Sequence, residues 1–340
     1  NCRLGPPNGS RSVEAEGSEV GGSWCVVGGA GFIGSHLVER LLGEGRAQRV
    51  VVLDNLSSGS REQLGASLHD ERVSLVVGDC GDPSVTVPAL AGIDVVVHLA
   101  SNPDIARAVT EPEIDFDSGT RLSNTVVEAS RRNGVGTVVY ASGSGVYGDL
   151  GDFEIPEDHG PLRPVSTYGA SKLAGEALVC SYAHMFGLRG RAFRFANVVG
   201  PRQTHGVGYD FLAKLGRSPG LLEILGDGRQ SKCYIAVEDV LDAILGVLDA
   251  NDHRPYEVYN VSTDDALSVD DIGRAACRAL GLDPAAVTFA HTGGRVGWRG
   301  DVPVVRLDTS RIRGTGWQPK RTSAQAMDWA LASMGGAQTG

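Results

Sequence analysis

Trp24-Cys25-Val26-Val27-Gly28-Gly29-Ala30-Gly31-Phe32-Ile33-Gly34 is the stretch on which the reading of this chain turns. Four apolar residues give way to glycines at 28, 31 and 34, and residues 34–42 then carry apolar side chains at helical period. A strand, a glycine turn and a helix in that order form the nucleotide-binding opening of a parallel βαβ unit. Glycines let backbone amides approach a pyrophosphate, and a helix N-terminus favours its negative charge. The plain alternative is a tight strand-to-helix turn that holds no ligand.

Outward from this turn, apolar runs alternate with amphipathic segments. Strands are expected at residues 24–27, 50–53, 73–77, 95–99, 137–141, 192–195 and 258–261, with helices at 34–42, 118–131 and 167–186 between them. Continuous valine-rich strands joined by helical crossovers predict an α/β fold with a parallel sheet covered on both faces, the doubly wound Rossmann arrangement. Past Phe195 the pattern breaks into glycine- and proline-punctuated pieces, with helices at 237–248, 269–280 and 324–334. The expected organisation is a tail over residues 1–23, a nucleotide domain over 24–195 and a smaller, interleaved substrate domain over 196–340. The strand near Val258 is expected to return to the main sheet.

Composition narrows the function classes. A formal charge of −10 over 340 residues argues against a general nucleic-acid surface, so phosphate recognition must be local. No apolar run reaches the length of a membrane span. Six cysteines at positions 2, 25, 80, 180, 233 and 277 form no close pairs, which fits a reducing cytoplasm and excludes a zinc ligand set or a disulfide framework. Residues 1–23, rich in Gly, Ser, Pro and Glu, lack an apolar core and read as a disordered tail, not a signal peptide. His98, His184 and His253 have no metal spacing and are read as structural.

Site candidates then fall at the carboxyl ends of the expected strands, where open α/β sheets bind ligands. Asp54 ends the second strand, 20 residues past Gly34, where a carboxylate accepts hydrogen bonds from an adenosine ribose and repels a 2′-phosphate. With Asn55 next to it and no arginine, the expected cofactor is NAD and not NADP. Asp79 and Cys80 end the third strand, and Leu99-Ala100-Ser101 ends the fourth with small side chains that leave room for a cofactor. Ser142-Gly143-Ser144-Gly145 closes the fifth with hydroxyls and glycines.

Tyr168-Gly-Ala-Ser-Lys172 places a phenol and an ammonium four residues apart, hence on one helix face. A neighbouring cation stabilises phenolate, lowering the tyrosine pKa toward the range where it accepts a proton. Alone the pattern arises by chance on any exposed helix; beside a dinucleotide turn it specifies proton transfer. His205, in Gln-Thr-His205-Gly206-Val207, lies in a stretch expected to face the cleft. Only four of 31 basic residues are lysine, among them Lys172 and Lys232.

With these residues in place, the chain from Trp24 to Gln318 resembles the extended short-chain dehydrogenase/reductases of the NAD-dependent epimerase/dehydratase family. The resemblance rests on the glycine turn, Asp54-Asn55, Gly78-Asp79, His98-Leu-Ala, Val146-Tyr-Gly and Tyr168-x-x-x-Lys172. It continues through Arg194-Phe-Ala-Asn197-Val-Val-Gly-Pro-Arg202, Gly226-Asp-Gly-Arg-Gln230, Val237-Glu-Asp239-Val and Gly300-Asp301. It implies bound NAD contacted by Phe32, Ile33, Ser58 and Gly59 as well as the residues above. It implies a sugar nucleotide contacted by Ser144, Asn197, His205, Gly206, Val207 and Lys232, and a homodimer built on helices 118–131 and 167–186.

Departures from the family pattern sort its branches. The hydroxyl partner of the tyrosine usually sits where this chain has Gly143, so Ser142 or Ser144 is expected to take its place. The acid pair that eliminates water in 4,6-dehydratases falls on Ser144 and Gly145, and the glutamate of UDP-glucuronate decarboxylases also falls on Gly145. An arginine that grips the diphosphate corresponds to Lys232; a second corresponds to Trp298, with Arg299 or Arg295 as substitutes by proximity. The implied activity is therefore a UDP-sugar 4-epimerase working through a 4-keto intermediate. UDP-glucuronate is the first expected substrate, because glycine-flanked amides can receive a carboxylate, and UDP-glucose the second. A natural-product (antibiotic) pathway would suit the arginine bias. A non-catalytic NAD sensor and a net dehydrogenase are the readings from other classes.

Overall fold

The computed structural model describes residues 22–102, 105–250 and 252–335. Seven strands form one sheet: β1 (Gly22–Val27), β2 (Ala47–Asp54), β3 (Val73–Val77), β4 (Val95–His98), β5 (Thr137–Gly143), β6 (Arg189–Phe195) and β7 (Tyr256–Val261). Their spatial order is 7-6-5-4-1-2-3 and every pairing is parallel. This is the Rossmann arrangement, with β7 returning late in the chain to extend the sheet beside β6.

Most of the expected strands are buried on both faces, which is why they read as unbroken apolar runs and not as alternation. Val26, Val50, Val52 and Val139 pack on one face with α1 (Phe32–Gly43), while Cys25, Val51, Val96 and Val138 pack on the other. The second face is covered by α2 (Pro83–Ala89), α3 (Leu122–Arg132) and α4 (Thr167–Phe186). The helix expected from 118 begins as a π-helical turn over Phe116–Arg121 and becomes α-helical only at Leu122. There Gly119 lies so close to α4 that an added Cβ would stand 2.6 Å from the Ser171 hydroxyl, a contact that a side chain would forbid.

Residues beyond β6 build a smaller layer. α5 (Val207–Arg217), α6 (Val237–Asp249), α7 (Val269–Ala279) and α8 (Ser323–Gly335) follow in order. α5, α7 and α8 share a core with the short parallel pair Leu221–Ile224 and Thr288–His291. α6 instead joins β7 in the sheet core, so the chain crosses between the two layers more than once. Of the expected tail, residues 1–21 lie outside the described residues, and Gly22 and Ser23 belong to β1. Among the described residues no helix is long and apolar enough to cross a membrane, and no group of His, Cys, Asp and Glu is arranged to hold a metal.

Candidate active site

A cleft of about 1020 Å³ opens at the carboxyl ends of the strands, across the switch in strand order between β1 and β4. Its nucleotide half is shaped by close backbone contacts. Gly28 has φ +80, and a Cβ there would meet the Ala100 nitrogen at 2.8 Å, so the turn is pressed against the end of β4. A Cβ on Gly34 would lie 2.4 Å from the Gly28 carbonyl oxygen. α1 starts at Phe32 with Gly31 as its N-cap, without a side-chain cap and without an acidic residue in its first turn. Its positive end is therefore left for an anion.

Asp54 is buried at the end of β2; one carboxylate oxygen accepts from the Ala30 amide at 2.9 Å and the other from the Leu56 amide at 2.8 Å. It fixes the glycine turn and lines the cleft beside Asn55 and Ser58. Asp79, whose carboxylate accepts from the Gly81 amide at 2.7 Å, lines the same half with Cys80, Leu99, Ala100 and Ser101. Gly59 takes a different place from the one expected. It does not line the cleft but backs the turn, where a Cβ would stand 2.4 Å from the Ala30 carbonyl oxygen. An uncapped helix end, a glycine cradle and a carboxylate at the second strand together fit a dinucleotide.

The reacting half is built on the first turns of α4, whose N-cap Ser166 accepts from the Gly169 amide. Tyr168 and Lys172 line the cleft as expected, the ammonium 5.5 Å from the phenol ring centre. The expected lowering of the tyrosine by the lysine is not what the protein alone provides. Burial pushes Tyr168 up to about 12, against an opposing hydrogen bond from Ser101. Burial likewise brings Lys172 down to about 8, against the carboxylates of Asp115 and Glu176. Lys172 Nζ donates to the Ala141 carbonyl at 2.8 Å and so is held at the end of β5.

The two expected serines part company. Ser142 Oγ donates to Glu176 at 2.5 Å, and Glu176 is paired with Arg194 at 2.7 Å in a buried network. Along β5 successive side chains face opposite ways, so Ser142 points toward α4. Its hydroxyl is committed there and is not available to the reacting oxygen. Ser144 lines the cleft, and among the described residues no hydrogen bond ties its hydroxyl. A Cβ on Gly143 would find only the Phe195 carbonyl oxygen, at 3.9 Å, so this position leaves open space.

At the far end the cleft is lined by Asn197, His205, Gly206, Val207 and Lys232. Lys232 is paired with Asp301 at 2.6 Å. Arg299 is exposed and does not line the cleft: the Trp298–Asp301 turn, closed by an Asp301 amide to Trp298 carbonyl bond, sends Trp298 inward and Arg299 out. Arg295 is also exposed, and lies 3.5 Å from Asp149.

Sequence reasoning missed two sets of residues. Arg194 lies between Phe193 and Phe195 in a strand of the central sheet and needs a buried partner; Glu176, four residues past Lys172 on the same face of α4, supplies it. That signal was present. The second set is Asp115, which accepts from Asn102 at 2.9 Å and from Thr167 at 2.7 Å; three distant positions give no local signal. His98, expected to be structural, is buried against Ser123 and held neutral by burial, down to about 3.

Residues 24–262 match the model of the NAD dependent epimerase/dehydratase family. The chain belongs to this family. Among relatives, a "UDP-glucose 4-epimerase" of Mycolicibacterium smegmatis is 35% identical over 313 residues, 89% of this chain and 95% of the relative. A solved UDP-galactose 4-epimerase is 39% identical, with a TM-score of 0.82, covering 93% of this chain and 99% of its own. MoeE5 in complex with UDP-glucuronic acid and NAD is 28% identical with a TM-score of 0.80, covering 94% and 100%. Family membership makes NAD the protein's cofactor, and the glycine cradle described above fits it.

Proposed function

We propose that this protein is a UDP-hexose 4-epimerase that interconverts UDP-glucose and UDP-galactose. One observation carries the reading: Tyr168 and Lys172 face a turn, Gly143-Ser144-Gly145, that has no carboxylate. Dehydration needs an acid and a base to remove water from the ketose, and decarboxylation in the form noted above needs a glutamate at this turn. Inversion at C4 needs only a group that takes and returns the proton of the 4-hydroxyl. Tyr168 takes that proton, Ser144 steadies the sugar oxygen, and Lys172 would hold the cofactor's ribose. When bound, NAD supplies the hydride acceptor and a positive charge that favours phenolate. The cleft would have to let the ketose present either face, with Tyr168 returning the proton to the same oxygen.

Charge pairing favours a neutral hexose. Of the five Lys and Arg side chains lining the cleft, Arg107, Arg121, Lys214 and Lys232 each have a carboxylate partner among the described residues, and Lys172 donates to a backbone carbonyl. A uronate carboxylate would have to displace one of these partners or rest on backbone amides. UDP-glucuronate is the second reading, supported by the amides at Gly143–Gly145 and by the likeness to MoeE5.

The test is separate incubation with UDP-glucose, UDP-glucuronate, UDP-N-acetylglucosamine and dTDP-glucose, following anomeric protons by NMR. The expected result is a C4-inverted product, formed fastest from UDP-glucose. Faster conversion of UDP-glucuronate moves the assignment to the second reading. A 4-keto-6-deoxy product, or NADH released in step with turnover, overturns the epimerase.

A further inference from the structure

Lys172 is held by a stretch of strand that has a neighbour on one side only. β4 pairs with β5 from Thr137 to Tyr140, whereas β6 pairs with it as far as Gly143. Residues 141–143 therefore overhang the end of β4, and there the Ala141 carbonyl accepts from the Lys172 ammonium at 2.8 Å. Ala141 and Gly143 have no polar side chain, so within the overhang only Ser142 can be tied down by one. Its hydroxyl donates to Glu176 at 2.5 Å, and Glu176 stands one helical turn past Lys172 on α4. Two adjacent residues of β5 thus grip two successive turns of α4. The helix lies close against the strand, since a Cβ on Gly175 would collide with the Tyr140 hydroxyl.

The charge of Glu176 is answered from the sheet. Arg194, opposite Ser142 in register on β6, donates Nε to one carboxylate oxygen at 2.9 Å and Nη2 to the other at 2.7 Å. Its Nη1 donates to the Tyr147 hydroxyl at 2.8 Å, and that hydroxyl donates to Asn260, opposite Arg194 on β7. Ser142, Glu176, Arg194 and Asn260 are each at most 5% exposed, so water does not compete for these bonds. We propose that Ser142 and Glu176, with Arg194 cancelling the carboxylate's charge, are positioning residues for Lys172. Their bond fixes the overhang of β5 against α4, and the Ala141 carbonyl then fixes Nζ, 5.5 Å from the ring centres of both Tyr140 and Tyr168. That role rests on the proposed reaction through Tyr168 and Lys172, but not on which sugar is used.

The chain has only four lysines, so NMR of protein isotope-labelled at the lysine ε-carbon gives few signals, and the one missing from Lys172→Met belongs to Lys172. A side chain held in one rotamer shows its two ε-protons at different shifts, and a freely rotating one averages them. In the protein as purified the Lys172 pair should be split; it should merge in Ser142→Ala and split again in Ser142→Thr, which restores the hydroxyl. In Ser142→Ala kcat should fall about 10-fold with KM within about twofold, the size of one weakened hydrogen bond to a charged group, and Ser142→Thr should recover it. Circular dichroism checks that the variants fold. Should Ser142→Ala not fold, Ser142→Cys, of similar size with a weaker donor, should move both readouts the same way. A Lys172 pair already merged in the unaltered protein, or still split in folded Ser142→Ala, overturns the proposal, because the serine would then support only the strand. A merged pair with kcat within about twofold overturns it as well, since one lost charged hydrogen bond should cost more. If no sugar nucleotide reacts, the epimerase reading fails while the lysine signals still decide what holds Lys172.

Discussion

Tyr168 and Lys172 sit where burial opposes the charged form of each, so neither is activated by the other alone. The phenol is up at about 12 and the ammonium down at about 8, so burial drives apart two titrations that lie close together in the free side chains. NAD, when bound, would add a positive charge that favours the phenolate. Tyr168→Phe removes only the phenolic oxygen and leaves the ring that packs near Lys172. It should retain bound NAD and bind UDP-glucose normally while kcat falls by about 100- to 10,000-fold, the usual scale for losing a positioned base. Stopped turnover with retained NAD, measured by cofactor release on denaturation, checks this; near-normal kcat would remove Tyr168 from the mechanism. The pair was readable because a four-residue spacing encodes a shared helix face. The fate of Ser142 was not, because its partners Glu176 and Arg194 lie 34 and 52 residues away and meet it only in the fold.

The glycine turn is the element with the least tolerance. At Gly34 an added Cβ would meet backbone atoms of Gly28 and Gly29 at 2.4 and 2.6 Å, and backbone cannot swing away as a side chain does. Gly43, at the other end of the same helix, has nothing within 4 Å. Gly34→Ala should therefore cost about 1–3 kcal/mol of stability and release NAD, whereas Gly43→Ala should be neutral or gain up to about 1 kcal/mol. Thermal melts and cofactor content of the two variants test the claim; equal behaviour would mean that the turn is not close-packed. The seven strands of the sheet were legible for a related reason. Burial on both faces writes itself as continuous valine, and the crossover helices carry their own period. The π-helical start before α3 was hidden, since nothing in the local pattern marks that Gly119 lies close against Ser171 of α4. Arg299 was misplaced for the same kind of reason: its direction is set by the turn that closes on Trp298.

On the scale of the whole molecule, the outer surface of α4 stands apart. Ala170, Ala174, Ala177, Ser181 and Met185 follow one another at helical spacing, and Met185 and Phe186 are 71% and 48% exposed. Small and apolar residues in a stripe let two helices approach closely. The same helix carries Tyr168 and Lys172 on its other side, so pairing of two copies through α4, with α3 beside it, would brace the site against a second molecule. The expected assembly is a homodimer with twice the 35.6 kDa chain mass, seen by light scattering at working concentration. Ala177→Arg adds a charge to the centre of the stripe while leaving the buried face of α4 unchanged. It should shift the mass to that of one chain and leave the far-ultraviolet circular dichroism intact, because an exposed helix position accepts arginine readily. A monomer in the unaltered protein, or an Ala177→Arg variant that keeps the dimer mass, would place the interface elsewhere or remove it.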